Sequence, residues 1–395
     1  MSDTIVIVGG GLAAGNAATT LREEGFDGRV VVFAAEPHLP YERPPLSKGY
    51  LLGNDPLEDA FVHDEAWYDE HGVDVRTGVE VTRLDTEAHT VGGTDGVEQY
   101  DRLLLATGAR PRRLALADDS GFPVNYLRTI EDSDALKAGF GEGRRTVVVG
   151  GGWIGLEVAS AARHGGSEVT VLEALDLPLV RVLGPEVARV FADLHVEHGV
   201  DLRTNASLEA VSPDGDRVVC RLGDGTEVTG DQLVVGVGVA PDTSLAESAG
   251  LRVDNGILVD EQLRASAPDV FAAGDVANHF HPVLGRRIRV EHWETAIEQG
   301  KLAGRNLAAP GAELHSYDRM PYFFTDQYDL GMEYVGSVGP DGYDEVLIQG
   351  DTSAEQRQFR AYWHKDGRIL AAMQVNDWDA SDHIREIVGQ PVSAL

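Results

Sequence analysis

The sequence of 395 residues is poor in cysteine, since Cys220 is the only one, and it has no long apolar run. A single thiol excludes an intrachain disulfide, which fits a reducing compartment. The absence of about 18 consecutive apolar residues predicts that no helix crosses a membrane. The first residues lack a basic stretch and lead directly into a predicted strand, so we expect no signal peptide. Together these features predict a cytoplasmic protein.

Basic residues are also few: the sequence has 33 Lys and Arg and 65 Asp and Glu, which gives a formal net charge of -32. Nucleic-acid binding requires a basic patch for the phosphates, so this balance argues against a DNA or RNA partner. Solubility explains so acidic a surface more simply than a specific function does. An acidic partner would therefore need a local basic site.

Short apolar runs alternate with helix-like segments over most of the chain. TIVIVG (4–9) and QLVVGVG (232–238) have the composition of buried parallel strands. Helix-like segments lie between runs of this kind, at 12–24, 154–164 and 186–198. The alternation predicts an α/β protein of the doubly wound type.

The character of the sequence changes near Met320. The segments after this point read as antiparallel strands, with KDGR (365–368) as a hairpin turn and SDHIREIVG (381–389) as a closing helix. We therefore expect a further α+β domain at the C-terminal end.

A glycine-rich pattern occurs twice, each time after a predicted strand and before a predicted helix. The copies are Gly9-x-Gly11-x-x-Ala14 and Gly150-x-Gly152-x-x-Gly155. The first glycine permits a tight turn, the second lets the backbone approach a pyrophosphate, and the third keeps helix and strand close. Two copies predict two dinucleotides, for which FAD and NAD(H) are the natural pair.

An acidic residue follows the second strand of each unit, where it can bind a ribose diol. These residues are Glu36 after the first loop and Glu173 after the second. A glutamate repels a 2′-phosphate, and no arginine directly follows Glu173, so the second site favours NADH over NADPH.

Several longer segments match a known family. They include YERPPLSKGYL (41–51), GGGWIGLEVA (150–159), DVFAAGDVA (269–277), RVEHWETAIEQG (289–300) and PYFFTDQYDLG (321–331). From about residue 4 to residue 390, the chain resembles the FAD-dependent, NADH-consuming ferredoxin reductases of bacterial cytochrome P450 and aromatic-ring oxygenase systems.

The resemblance implies two Rossmann-like dinucleotide-binding domains of the glutathione-reductase type and an α+β C-terminal domain. The FAD-binding domain is expected to be discontinuous, formed by residues 1–110 and 241–318. The NAD-binding domain is expected at 111–240 and the C-terminal domain at 319–395.

The same resemblance implies site residues. It pairs Lys48 with Glu157 on the hydride path, where the lysine favours negative charge on the reduced flavin ring. Together with the glycine loops, it assigns FAD to Gly9, Gly11, Ala13, Ala14, Glu36, Arg43, Pro45, Lys48, Val81, Ala106, Thr107, Gly108, Arg128, Asp275 and Trp293. It assigns NAD to Gly150, Gly152, Ile154, Gly155, Glu173, Arg181 and Gly238.

The single cysteine also bears on the route of the electrons. A thiol relay needs a reactive cysteine beside the flavin, whereas Cys220 lies in a predicted hairpin, so electrons must leave from the flavin itself. His279 and His281 form a His-x-His pair without suitably placed acids, and we expect no metal there.

The resemblance implies a [2Fe–2S] ferredoxin as the electron acceptor, and such carriers are usually acidic. Residues 284–305 carry a local excess of positive charge, and Arg289, Lys301 and Arg305 are the predicted docking residues. Two alternatives stay open. One is a reductase for another acceptor, such as rubredoxin, monodehydroascorbate, nitrite or a quinone. The other is a redox sensor similar to apoptosis-inducing factor.

Overall fold

The computed structural model describes residues 3–308 and 314–395, which form two compact units. Each unit is assembled from three segments of the chain. The first unit comprises Met1–Arg43, Leu57–Arg110 and Ala240–Pro321, and the second comprises Pro44–Pro56, Pro111–Val239 and Tyr322–Leu395.

The strands of the described residues are numbered in chain order. They are β1 (Thr4–Val8), β2 (Arg29–Ala34), β3 (Val73–Thr77), β4 (Val81–Asp85), β5 (Thr90–Gly93), β6 (Gly96–Gln99), β7 (Arg102–Leu105), β8 (Ala109–Pro111), β9 (Val124–Asn125), β10 (Arg145–Val149), β11 (Glu168–Leu172), β12 (Asp201–Arg203), β13 (Leu208–Asp214), β14 (Arg217–Leu222), β15 (Glu227–Gly230), β16 (Gln232–Val235), β17 (Val239–Pro241), β18 (Ile257–Val259), β19 (Val270–Ala272), β20 (Ala277–His281), β21 (Arg286–Arg289), β22 (Tyr322–Gln327), β23 (Leu330–Gly336), β24 (Glu345–Asp351), β25 (Gln358–Lys365) and β26 (Arg368–Val375).

The helices are numbered in the same way. They are α1 (Leu12–Glu23), α2 (Gly49–Leu52), α3 (Glu65–Glu70), α4 (Ala115–Asp118), α5 (Ile130–Gly139), α6 (Trp153–His164), α7 (Val180–Glu197), α8 (Ser244–Ser248), α9 (Trp293–Ala308) and α10 (Ser381–Ile387). No helix of the described ranges has the length and apolar character needed to cross a bilayer.

The first unit is built on a five-stranded parallel sheet in the order β19-β7-β1-β2-β3. Its central strands are continuous apolar runs, as expected for strands covered on both faces. Smaller three-stranded sheets, β18-β20-β21 and β4-β5-β6, accompany it.

Helices α1 and α9 pack closely within the first unit because α9 presents glycines at the contact. A Cβ atom on Gly300 would stand 2.4 Å from the Ala13 carbonyl oxygen, and one on Gly304 would stand 2.6 Å from that of Ala17. The two backbones can approach this closely only because no side chain lies between them.

The second unit repeats the parallel arrangement, with five strands in the order β12-β11-β10-β16-β9. Strands β13, β14 and β15 form an antiparallel sheet beside it. Helix α7 changes direction at Gly184, whose φ of +75° favours glycine, and Pro185 follows at once. Because of this break, the predicted helix from residue 186 is only the C-terminal part of α7.

The C-terminal segment of the second unit is an antiparallel sheet in the order β22-β23-β26-β25-β24, followed by α10. Asp366 and Gly367 form the predicted hairpin turn between β25 and β26. The predicted α/β class and antiparallel C-terminal region are confirmed. The exact domain boundaries stay predictions.

Candidate functional site

The first glycine loop connects β1 to α1 in the first unit. Gly9 adopts a φ of +129°, and a Cβ there would lie 2.1 Å from the carbonyl oxygen of Ala106. At Gly11, by contrast, a Cβ would meet no atom within 4 Å. The backbone at Gly9 therefore packs directly against the residue after β7, which leaves no room for a side chain, whereas the space beside Gly11 is empty. In glycine loops of this type, a pyrophosphate approaches the backbone at the second glycine. We call such a loop closed at its first glycine and open at its second.

The second glycine loop, which connects β10 to α6 in the second unit, is likewise closed at its first glycine and open at its second. A Cβ on Gly150 (φ +107°) would lie 2.4 Å from the Gly236 carbonyl oxygen, and one on Gly155 would lie 2.1 Å from that of Gly150. The nearest atom to a Cβ on Gly152 is 3.9 Å away. This loop thus needs glycine at its first and third positions for packing.

Helices α1 and α6 each begin with uncapped N–H groups. Their N-cap residues, Gly11 and Gly152, have no side chain to accept a hydrogen bond, and neither helix carries an acid in its first turn. The N–H groups of a helix N-terminus and the helix dipole favour an anion there. Both loops can therefore hold a dinucleotide pyrophosphate.

The predicted FAD residues of the first unit gather at the carboxyl edge of its parallel sheet, where ligands of doubly wound folds bind. Glu36 follows β2, and Asp275 follows β19 in a short 3₁₀ turn. Ala106, Thr107 and Gly108 follow β7, and the Thr107 hydroxyl donates a 2.7 Å hydrogen bond to the Asp242 carbonyl. Ala13 and Ala14 lie buried in the first turn of α1.

Glu36 is held by two neighbouring side chains. Its Oε1 accepts from Arg43 Nη2 at 2.6 Å, and its Oε2 accepts from the Tyr41 hydroxyl at 2.5 Å. The carboxylate keeps further lone pairs for a ribose hydroxyl. The structure thus brings together two residues that the sequence assigned to FAD, Glu36 and Arg43.

Three more predicted FAD residues lie elsewhere in the fold. Trp293 begins α9, and its indole N–H donates to Glu42 Oε2 at 2.9 Å, while burial raises the pKa of that carboxyl. Val81 begins β4 and is half-buried. Arg128 belongs to the second unit and precedes α5, where its backbone N–H donates to Asp132.

The predicted NAD residues lie around the second loop or at its edge of the sheet. Glu173 follows β11 and accepts from the backbone N–H groups of Gly151 (2.7 Å) and Leu175 (2.8 Å), so it fixes the loop as well as facing it. Gly238 follows β16 with a φ of +95°. Ile154 is 43% exposed on α6, and Arg181 is exposed on α7.

Lys48 and Glu157 form an ion pair inside the second unit, with Lys48 Nζ 2.8 Å from Glu157 Oε1. Pro45 lies in the short 3₁₀ helix, Pro44–Ser47, that leads to the lysine, whereas Glu157 is on α6 and only 3% exposed. The lysine ammonium also lies 5.3 Å from the centre of the Phe324 ring. A buried carboxylate of this kind needs a paired charge and further hydrogen bonds.

Two residues that the sequence did not single out supply those hydrogen bonds. The Ser47 hydroxyl donates to Glu157 Oε2, and the Thr325 hydroxyl donates to Glu157 Oε1, both at 2.5 Å. Ser47 immediately precedes Lys48 in the sequence, so its position next to a predicted site residue could have indicated it. Thr325 lies 168 residues from Glu157 in the chain, and only its place in the matched segment PYFFTDQYDLG pointed to it.

Comparison with known proteins identifies the family. Residues 3–300 match the model described as pyridine nucleotide-disulphide oxidoreductase, and residues 322–394 match the one described as reductase C-terminal. The chain belongs to the pyridine nucleotide-disulphide oxidoreductase family.

Relatives within this oxidoreductase family are similar over nearly their whole length. The ferredoxin–NAD(+) reductase component of an anthranilate 1,2-dioxygenase system from Burkholderia cepacia is 41% identical, over 95% of this chain and 91% of that protein. Rhodocoxin reductase from Rhodococcus erythropolis is 36% identical, over 94% and 86%. The crystal structure of the covalent putidaredoxin reductase–putidaredoxin complex matches with a TM-score of 0.92 and 33% identity, over 99% of this chain and 95% of that chain.

The family name includes a disulphide, but this oxidoreductase has one cysteine. Cys220 is buried in the hairpin of β14 and β15, as predicted, and burial raises the pKa of its thiol to about 11. A thiol held in this protonated state is a poor nucleophile.

The predicted docking residues of the oxidoreductase are all paired with acids. Arg289 bonds to Glu291, and its side chain is only 9% exposed. Lys301 Nζ lies 3.0 Å from Glu298, and Arg305 Nε lies 2.7 Å from Glu24. Since Glu24 comes from another part of the chain, counting charges within 284–305 overstates the local positive charge.

His279 and His281 are buried in β20 of the first unit. Burial lowers the pKa of His279 to about 3 and also lowers that of His281, so both rings are neutral near pH 7. Both rings lie edge-on to the ring of Tyr317. Across the described ranges, His, Cys, Asp and Glu nowhere gather in threes as metal ligands.

Proposed function

We propose that this chain is an NADH-dependent flavoprotein reductase that passes electrons from NADH through FAD to a [2Fe–2S] ferredoxin serving a cytochrome P450 or an oxygenase. The observation that carries the proposal is the pair of glycine loops, each closed at its first glycine and open at its second. The relatives named for ferredoxin and rhodocoxin support the acceptor.

FAD is assigned to the first loop and NADH to the second. For FAD, the supporting features are the uncapped start of α1 and the acid Glu36 at the end of β2. For NADH, they are the uncapped start of α6 and Glu173, whose charge disfavours a 2′-phosphate. The remaining residues assigned to either nucleotide, and the domain boundaries given above, are part of this proposal. The single buried cysteine supports a cytoplasmic location.

Lys48 and Glu157 are assigned to the hydride path. FAD supplies the chemistry by which a two-electron donor is coupled to a one-electron acceptor. With FAD bound, Lys48 would supply positive charge that favours the anionic reduced ring, and Glu157 holds that ammonium, with Lys48 Nζ 2.8 Å from Glu157 Oε1. Ser47 and Thr325 fix the carboxylate, so the pair is pre-organised.

The acidic carrier is assigned to the region of Arg289, Lys301 and Arg305, of which Arg289 is nearly covered. Lys301 and Arg305 are about half exposed on α9, which leaves them accessible. Their pairing with Glu298 and Glu24 is the observation that favours the second candidate, a reductase for a different acceptor, because paired cations attract an acidic carrier less strongly.

The test is NADH-driven cytochrome c reduction with and without an added [2Fe–2S] ferredoxin. We expect strong ferredoxin dependence and a preference for NADH over NADPH. Rapid flavin bleaching by NADH without any gain from ferredoxin would contradict the assigned acceptor.

A matched pair of lysine variants tests the assigned hydride path. Lys48→Met should slow flavin reduction by NADH about tenfold or more. Lys365→Met, which removes a lysine of the same unit that donates to the Asp341 carbonyl, should leave the rate unchanged. Equal rates in the two variants would remove Lys48 from the hydride path.

A further inference from the structure

A chain of buried polar side chains continues from Glu157 into the core of the second unit. Thr325 Oγ1 lies 3.1 Å from Gln327 Nε2, and Gln327 Oε1 lies 2.8 Å from His195 Nε2. Thr325, Gln327 and His195 are each at most 1% exposed. Burying polar side chains is costly unless they are hydrogen-bonded, so a buried series of them that is hydrogen-bonded to Glu157 requires an explanation.

The fold explains how these residues meet. Thr325 and Gln327 are two residues apart on β22, so their side chains point to the same, buried face of the sheet. His195 lies on the buried face of α7, in the helix turn that also buries Phe191 and Leu194. The strand and the helix thus contribute adjoining parts of one chain.

The direction of every hydrogen bond in the chain is determined. Thr325 has one hydroxyl proton, and the Glu157 carboxylate can only accept it. Thr325 must therefore accept from the Gln327 N–H, which turns the amide oxygen toward His195. Because that oxygen can only accept, the proton of His195 sits on Nε2.

The state of His195 fits this assignment. Burial lowers the pKa of its imidazole to about 4, so the ring is neutral near pH 7 and its Nδ1 is an acceptor. The Tyr328 hydroxyl lies 3.4 Å from that Nδ1. Tyr328 is held there by the two-residue turn between β22 and β23, in which its φ of +56° is expected at the first turn residue.

We infer that His195 and Gln327 are positioning residues for the proposed hydride-transfer site, acting through Thr325 to hold the Glu157 carboxylate toward Lys48. This inference rests on the proposed role of Glu157. These hydrogen-bonded side chains orient the Glu157 carboxylate and do not conduct protons to it, because the Gln327 amide in its ordinary form cannot relay a proton. All its donors point toward Glu157, so removing one link leaves Thr325 free to turn away.

The tautomer of His195 is the first test, and it does not depend on turnover. In protein labelled with ¹⁵N-histidine, the spectrum should show His195 protonated at Nε2 alone. A His195→Gln variant identifies the signal. A proton on Nδ1, or a doubly protonated ring near pH 7, would overturn the inference.

Two substitutions of similar size form the kinetic test. His195→Gln keeps an N–H that can donate to Gln327, whereas His195→Leu removes the donor. At saturating NADH, we expect the leucine variant of the holoenzyme to reduce its flavin about tenfold more slowly with KM little changed. The glutamine variant should stay within about twofold of wild type.

Gln327→Glu covers the case in which the leucine variant does not fold. This nearly isosteric change draws the Thr325 hydroxyl away from Glu157 and should also slow flavin reduction. Val190→Ala, a core change on α7 outside the chain, should lower Tm without slowing flavin reduction.

If the rate of flavin reduction falls in proportion to Tm across all these variants, the hydrogen-bonded side chains contribute only to stability, and the inference is contradicted. Glu157→Gln separates this failure from that of the proposed function. If Glu157→Gln slows flavin reduction but His195→Leu and Gln327→Glu do not, only the positioning role is wrong. If Glu157→Gln changes nothing, the proposed role of Glu157 itself is wrong.

Discussion

The two glycine loops are both closed at the first glycine and open at the second, but they hold their acids in different ways. In the first unit Glu36 is bound by the side chains of Tyr41 and Arg43. In the second unit Glu173 is bound by backbone N–H groups, one of them from the loop itself. The first glycine therefore closes both loops in the same way, whereas the acid after the second strand is held by different groups in each unit.

The third position of the pattern also differs between the loops. The first loop has Ala14, which is buried without disturbing the turn, whereas a Cβ on Gly155 would lie 2.1 Å from the Gly150 carbonyl oxygen. The helix of the second loop therefore runs closer to its own turn. An alanine is accommodated in one loop and excluded from the other for this reason.

Substitution of the first glycine should have the largest effect. Gly9→Ala and Gly150→Ala each combine a positive φ with a Cβ that would overlap a carbonyl oxygen, at 2.1 Å and 2.4 Å. We expect each to cost about 3 kcal/mol or more, with Gly9→Ala losing flavin and Gly150→Ala losing NADH binding. Flavin absorbance and urea unfolding measure both outcomes, and loss of the same nucleotide from both variants would contradict the assignment of the loops.

Acid should destabilise the first unit more than the second. The buried ring of His279 and the half-buried ring of His292 in the first unit have pKa values lowered to about 3 and about 4, and the buried ring of His195 in the second unit has a pKa lowered to about 4. Between these values and the ordinary 6.5, the unfolded chain binds protons that the folded chain does not, so stability falls as pH falls. At pH 5, each of these histidines lowers the free energy of unfolding by about 2 kcal/mol.

Hydrogen exchange measured at pH 7 and pH 5 distinguishes the two units. The first unit should lose protection earlier, and His279→Gln should reduce that loss. Equal protection of both units at the two pH values would show that these rings do not control acid stability.

Substitution of the second glycine should separate binding from folding. Gly11→Ala meets no atom within 4 Å, and the nearest atom for Gly152→Ala is 3.9 Å away, so both variants should fold normally. Each methyl group occupies the side from which the pyrophosphate approaches, so we expect about a tenfold loss of one nucleotide only. Titration with FAD and with NAD⁺ tests this, and a drop in Tm as large as that of Gly9→Ala would argue against open loops.

Ala14→Gly should have the smallest effect. It gives the first loop the glycine pattern of the second, but glycine near the start of a helix loses more conformational entropy on folding than alanine does. We expect a loss of about 1 kcal/mol or less in stability, with flavin retained. Thermal unfolding measures the loss, and release of flavin would mean that the alanine methyl group is itself part of the FAD site.

The sequence indicated the parallel strands, both loops and the Lys48–Glu157 pair, because each follows a pattern of local spacing or a matched segment. Beyond the matched segment that contains it, the sequence did not indicate the contact of Thr325 with Glu157, because the two residues are 168 positions apart and meet only in the folded unit. The pairing of Arg305 with Glu24 was hidden for the same reason, because the two residues are 281 positions apart. Local sequence patterns therefore could not predict the contacts between segments that are distant in the sequence.

The buried state of Cys220 has a practical consequence for spectroscopy. With its sulfur fully covered and its thiol protonated at neutral pH, this cysteine should react slowly with maleimides. A cysteine introduced on an exposed loop would then be the only fast-reacting thiol. One fluorophore or spin label per molecule could be attached without first removing a native residue.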